Sequence, residues 1–222
     1  TVRSGAGNDT ITGTAGTDTY TLGAGVDTFT AQTAGGDTVN FGDGNDVGTG
    51  AAGVDTFNGD GDDDTFTGLA GADVLDGGGG NDSFVYQVDA NLFSVGGDLV
   101  DDITGGTGAA DTIVIDASAG TAETFTIAVG DTFAARVATV ESITAKPTDQ
   151  IITITGHDNL LNAIPKIDLS GDTNATGDNV INLDAEASAA STVIGSAGVD
   201  TITGGAGVDT ITPGLGADII NA

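Results

Sequence analysis

The 222-residue chain contains no Cys, Met or Trp, one His, three Pro and only four basic side chains. Without Cys there is no disulfide framework, no thiolate nucleophile and no thiolate metal site. A single histidine, His157, cannot build a histidine-based zinc site. Four Lys and Arg cannot displace the counterions of a phosphate backbone, so nucleic acid is excluded as a partner. An anionic lipid surface is excluded for the same reason. No apolar run approaches the roughly 20 residues of a membrane span, so direct membrane insertion is not expected. There is also little that favours helix. Glu occurs 3 times against 30 Asp, and Gly occurs 38 times. An interior Gly costs a helix roughly 1 kcal/mol against Ala, whereas a short carboxylate suits turns and oxygen-ligand sites.

What the chain does have is acid, Gly, Thr and a period. Its formal net charge is −29. Residues 4–85 divide into nine units of nine: SGAGNDTIT, GTAGTDTYT, LGAGVDTFT, QTAGGDTVN, FGDGNDVGT, GAAGVDTFN, GDGDDDTFT, GLAGADVLD and GGGGNDSFV, with Ala31 left between the third and fourth. The sixth position is always Asp: Asp9, Asp18, Asp27, Asp37, Asp46, Asp55, Asp64, Asp73 and Asp82. The fourth is Gly7, Gly16, Gly25, Gly35, Gly44, Gly53, Gly71 or Gly80, with Asp62 the exception. The second is Gly in four units only, at Gly5, Gly23, Gly42 and Gly78. The eighth is apolar except at Gly48. A second array, GSAGVDTIT, GGAGVDTIT and PGLGADIIN, carries Asp200, Asp209 and Asp218 with Gly198, Gly205, Gly207, Gly214 and Gly216.

Each unit ends in three residues alternating polar, apolar, polar, which reads as a very short strand with its middle side chain buried. The first six residues read as a turn, in which Gly permits backbone angles closed to other residues. Such strands cannot stand alone, so the units must stack, with successive turns on opposite edges and alternate units paired in parallel about 4.8 Å apart. Asp9, Asp27, Asp46, Asp64 and Asp82 then line one edge, and Asp18, Asp37, Asp55 and Asp73 the other. Neighbouring acids of one edge are expected about 9.6 Å apart, two strand spacings. Hard oxygen donors with no nitrogen or sulfur select Ca²⁺, and Mg²⁺ fits less well.

The units resemble the RTX nonapeptide, Gly-Gly-x-Gly-x-Asp-x-apolar-x. The resemblance covers 4–85 and 195–221 and implies a parallel β-roll or β-helix with multiple Ca²⁺ ions between turns of like edge. The sixth-position Asp and the carbonyls of the Gly-rich turns would be the ligands. At least four ions are expected in the first array and fewer near 200–218, with irregular sites near Asp46 and Asp64. The family likeness also implies type I secretion.

Between the arrays the period weakens. VGGDLV at 95–100 and GGTGAADTIVI at 105–115 look like altered repeats, which adds Asp98 and Asp111 to the expected ligands. The expected organisation is an RTX array over 1–85, degenerate repeats continuing the roll over 86–120, an irregular β-rich insert over 121–192 and a second array over 193–222. Strands are expected at 124–129, 137–143 and 151–155, a short helical turn within 157–169, and a shortened repeat at 177–183. Neither end reads as a domain end, so a segment of a longer chain is expected.

The Asp rows read as ligands and solvated charge, no Gly-x-Ser-x-Gly elbow occurs, and the chain is not expected to be an enzyme. His157 reads as a surface residue. Arg136, Lys146 and Lys166 read as local partners of Asp, and Tyr20 and Phe84 as core wedges. The Thr-x-Thr rows invite an ice-binding reading, but strand propensity explains them. The favoured function is a structural, calcium-folded segment of a secreted bacterial cell-surface protein, an S-layer lattice protein that self-associates. The alternatives are the repeat region of an adhesin or the accessory region of a secreted enzyme. A cell-surface polysaccharide would be engaged through a part outside this chain.

Overall fold

The computed structural model describes residues 1–32, 35–87, 101–116, 122–126, 136–146, 151–157, 160, 164–175, 178–185 and 190–221. The described residues form two compact units. The first comprises Thr1–Tyr86, Val100–Thr112 and Arg136–Val140, and the second the remainder. The fold is all-β and its strands pair in parallel.

In the first unit β1 (Val2–Ala6), β3 (Thr19–Ala24), β5 (Thr38–Asp43), β7 (Thr56–Gly61), β9 (Val74–Asp76), β11 (Asp102–Thr104) and β14 (Val137–Ala138) form one sheet in that spatial order. The facing sheet runs β2 (Thr10–Thr12), β4 (Thr28–Thr30), β6 (Val47–Thr49), β8 (Thr65–Thr67), β10 (Ser83–Tyr86). Alternation decides which side chains enter the core. Tyr20, Val39, Phe57, Leu75 and Ile103 are buried from one sheet, and Phe29, Phe66 and Phe84 from the other. Register keeps these ladders aligned, with Tyr20 beside Val39, Val39 beside Phe57 and Phe57 beside Leu75.

The strands differ from the expected uniform three-residue segments. β3, β5 and β7 each run six residues, into what the period marks as turn. For β3 and β5 the cause is visible at the first position of units three and five, where Leu22 and Phe41 are fully buried and extend the strand into the core. Ala31 is accommodated as a buried residue whose N–H donates to the Thr49 carbonyl at 2.9 Å.

In the second unit β12 (Thr112–Ile115), β15 (Ser142–Ala145), β17 (Lys166–Asp168), β19 (Thr192–Ile194) and β21 (Thr210–Thr212) form one sheet. β13 (Ala122–Thr126), β16 (Ile151–His157), β18 (Asp178–Ala185), β20 (Val199–Thr203) and β22 (Ile219–Asn221) form the other. Ile143, Ile167 and Val193 stack through one sheet, and Ile154, Ile181 and Ile202 through the other. The strand expected at 137–143 is two strands, because Thr139 lies between them at φ 53. Within 157–169, the Ile164 N–H donates to the Leu160 carbonyl at 2.7 Å with helical spacing, and β17 follows.

Candidate metal centre

The two Asp rows are built as a backbone-to-carboxylate relay. On one edge the N–H of Asp9 donates to Oδ1 of Asp27 at 2.8 Å, Asp27 to Asp46 at 2.6 Å, Asp46 to Asp64 at 2.8 Å and Asp64 to Asp82 at 2.8 Å. The Asp82 N–H donates onward to Asp111 Oδ1 at 2.7 Å, so Asp111 joins this row. On the other edge Asp18 donates to Asp37 at 2.9 Å, Asp37 to Asp55 at 2.7 Å and Asp55 to Asp73 at 2.8 Å. Asp73 then donates to Asp101 at 2.9 Å, a residue the sequence reading missed. Asp98 lies outside the described residues. The missed signal was Asp101-Asp102-Ile103-Thr104 before Gly105, the end of an ordinary unit.

These contacts place neighbouring acids of one edge a single strand spacing apart, about 4.8 Å, rather than two. Repulsion per pair then rises to ~0.9 kcal/mol in bulk water and several-fold more at the lower dielectric of a protein surface. The carboxylates are also covered: Asp27, Asp55 and Asp111 are 0 % exposed. Burial, opposed by the backbone hydrogen bond and reinforced by neighbouring acids, pushes Asp64 up to about 8 and Asp73 to about 7. The same causes push Asp46 and Asp82 to about 6. Asp101 also reaches about 6, raised mainly by burial, although hydrogen bonds from the Asp73 N–H and the Tyr86 hydroxyl pull it down.

Oδ1 is thus engaged in every turn after the first of each row, and the second oxygen decides what the row can hold. Oδ2 of Asp9, Asp27, Asp46, Asp64, Asp73 and Asp82 is buried and has no hydrogen-bond donor. A buried polar atom without a partner costs roughly 1–3 kcal/mol, and more when charged. A cation supplies the missing partner. Among the described residues no three acidic or histidine side chains converge on one point. Each site must therefore combine carboxylate oxygens with backbone carbonyls, the all-oxygen donor set that suits Ca²⁺.

The turn glycines make this stacking possible. A side chain at Gly23 or Gly42 would collide with the carbonyl of Gly5 or Gly23 in the preceding turn of the same edge. Gly5, Gly7, Gly16, Gly23, Gly25, Gly42, Gly44, Gly78 and Gly80 have φ between 95° and 142°, whereas Gly35, Gly53 and Gly71 do not have positive φ.

In the second unit neutral residues interrupt the acidic ladder. Register places Asn179 beside Asp200, and Asn179 Oδ1 accepts the Ile152 N–H at 2.7 Å while its Nδ2 donates to Asp172 Oδ2 at 2.8 Å. Asp200 Oδ2 accepts the Ser196 N–H at 2.7 Å, and the Asp200 N–H donates to Asp218 at 3.0 Å. Asp209 accepts both the N–H and the hydroxyl of Ser191. Positive φ recurs here at Gly214 and Gly216 but not at Gly198, Gly205 or Gly207. The cations pair locally, Arg136 with Asp102, Lys146 with Asp116 and Lys166 with Asp168. His157 closes β16, and its side chain lies outside the described residues.

A parallel roll whose stacked turns hand a buried aspartate from one to the next belongs to the cation-binding repeat proteins. The family model of the RTX calcium-binding nonapeptide repeat matches in four copies, over residues 1–29, 49–84 and 188–220. These segments match RTX calcium-binding repeats. The same relay runs through Asp37 and Asp46, which lie outside the matched segments. No curated protein and no solved structure matches the chain.

Proposed function

We propose that the chain is a structural region of a secreted bacterial surface protein, folded by calcium and assembling into an S-layer lattice, with no catalytic role. The observation that carries the calcium half of this reading is the row of buried, donor-free Asp Oδ2 atoms. Neutralising the rows is part of folding, because the unfolded chain has no preformed site and the folded one cannot leave these oxygens bare. Extracellular calcium modules work at dissociation constants of about 10⁻⁴–10⁻³ M, which suits a chain that stays open in a calcium-poor cell and closes outside it. Type I secretion fits this sequence of events.

The lattice half is supported by composition: no Cys, no Trp and long Thr-rich faces such as Thr10, Thr12, Thr28, Thr30, Thr65 and Thr67. An adhesin repeat region and the accessory region of a secreted enzyme use the same repeats. Circular dichroism and scattering on one sample test the calcium half. An expanded, weakly structured chain is expected without divalent ions, a compact β-rich one in millimolar Ca²⁺, and poor rescue by Mg²⁺. A full β spectrum without calcium would overturn it. Electron microscopy after calcium addition tests the lattice half: ordered two-dimensional arrays are expected, and isolated particles would favour the alternatives.

A further inference from the structure

We infer that the two edges of the first unit are chemically different, and that calcium is held along the edge of Asp9, Asp27, Asp46, Asp64 and Asp82 while the chain's own donors close most of the other. This rests on the calcium reading above and says where the ions go.

The first observation is the fate of Oδ2. On the Asp9–Asp82 edge all five of these carboxylates keep a buried Oδ2 with no donor. On the other edge the protein supplies donors. Asp18 Oδ2 accepts the Thr14 hydroxyl at 2.6 Å, Asp55 Oδ2 the Ala51 N–H at 3.0 Å, and Asp101 Oδ2 the buried Tyr86 hydroxyl at 2.7 Å. Among the described residues Asp73 is the member of that edge with a buried, donor-free Oδ2, and Asp37 is left aside because residues 33–34 of its turn lie outside the described residues.

The second observation is the backbone. Every turn of the Asp9–Asp82 edge has positive φ at both its second and fourth positions: Gly5 and Gly7, Gly23 and Gly25, Gly42 and Gly44, Asp60 and Asp62, Gly78 and Gly80. Asp60 and Asp62 hold φ of 70° and 71° in this register although a non-Gly residue there costs roughly 1–2 kcal/mol. Among the described residues of the other edge positive φ occurs singly, at Gly16 and Leu69. The sequence carries the same division. The four second-position glycines all fall in odd units, while even units place Thr14, Thr33, Ala51 and Leu69 there. Two turn designs therefore alternate along the chain, and the one with paired positive φ leaves a bare carboxylate oxygen in every turn.

Asp46→Asn and Asp55→Asn separate the edges. Both side chains are buried, and both variants keep an oxygen for the preceding N–H. Asp46→Asn replaces the bare oxygen with an amide nitrogen, so it should lose bound calcium, counted by native mass spectrometry at saturation, and raise the folding midpoint several-fold. Asp55→Asn sets an amide against the Ala51 N–H. It should lower the melting temperature of the calcium-loaded chain and leave the ion count unchanged. If either variant fails to fold, anomalous scattering from calcium-loaded wild-type crystals decides: density should follow Asp9 to Asp82 and be absent beside Asp18 and Asp55. Ion loss in Asp55→Asn equal to that in Asp46→Asn, or density beside Asp18 and Asp55, would overturn the inference alone. A wild-type chain that binds no calcium would overturn it together with the reading it rests on.

Discussion

At the scale of single residues, the roll is held in place by atoms that are individually unfavourable. Asp62 combines two such costs. Its φ of 71° is strained for any residue with a Cβ, and its charge helps push the carboxyls of Asp46 and Asp64 upward. Asp62→Gly should therefore stabilise the folded chain by about 1 kcal/mol, the strain relieved less the entropy Gly gains when unfolded. Urea denaturation at pH 4 without divalent ions, where protonated rows favour the fold, checks it. Gly25→Ala is the opposite case. At φ 137° its new methyl would run into the Gly7 carbonyl, so it should destabilise the roll with or without calcium.

At the scale of elements, Gly48 shows how the core resolves an apparent defect. It breaks the apolar ladder between Phe29 and Phe66. The space is not empty, because Phe41 enters from the other sheet, with ring centroids 5.0 Å from Phe66 and 5.6 Å from Phe57. A Cβ on Gly48 would meet the Phe41 ring at 2.6 Å and the Phe66 ring at 2.9 Å. Gly48→Val restores the repeat pattern yet should cost about 1–3 kcal/mol through overpacking, read as a lower melting temperature in calcium. Such compensation explains what the sequence could reveal. The Asp and apolar positions were legible because a nine-residue period forces them into ladders. The alternation of turn types was present in Gly5, Gly23, Gly42 and Gly78, but units taken as equivalent make it look like irregularity. Asp101 escaped because the spacing breaks before it, and its partner Tyr86 stands 15 residues away without local signal. Asn179 and Ser191 escaped because they occupy ladder positions without a charge.

At the scale of the whole molecule, charge is distributed unequally. The first unit stacks its ladder acids turn upon turn, whereas the second interrupts the ladder with Asn179 and Ser191. For the first unit a proton is the alternative to a calcium ion, which fixes how stability depends on pH. The Asp64, Asp73, Asp46, Asp82 and Asp101 carboxyls all lie above the ordinary 3.8, chiefly through burial. A carboxyl raised by folding binds its proton more tightly in the folded chain. Its contribution is complete below the unfolded value and is lost as pH climbs through the folded one. Without calcium, stability should therefore be greatest at or below about pH 4 and fall from there until about pH 8, the last of the folded values. Calcium reverses the trend, because ligation needs the ionised form and protons compete for it. Its folding midpoint should rise as the solution is acidified from about pH 8 to 6. Each ~1 kcal/mol lost lowers the melting temperature of a chain this size by about 2–4 °C, so melts at pH 4, 6 and 8, with and without calcium, resolve the two slopes. Calcium-free melting temperatures that climb steadily from pH 4 to 8 would show that the buried carboxylates are stabilised without any cation, and that calcium is not what closes the roll.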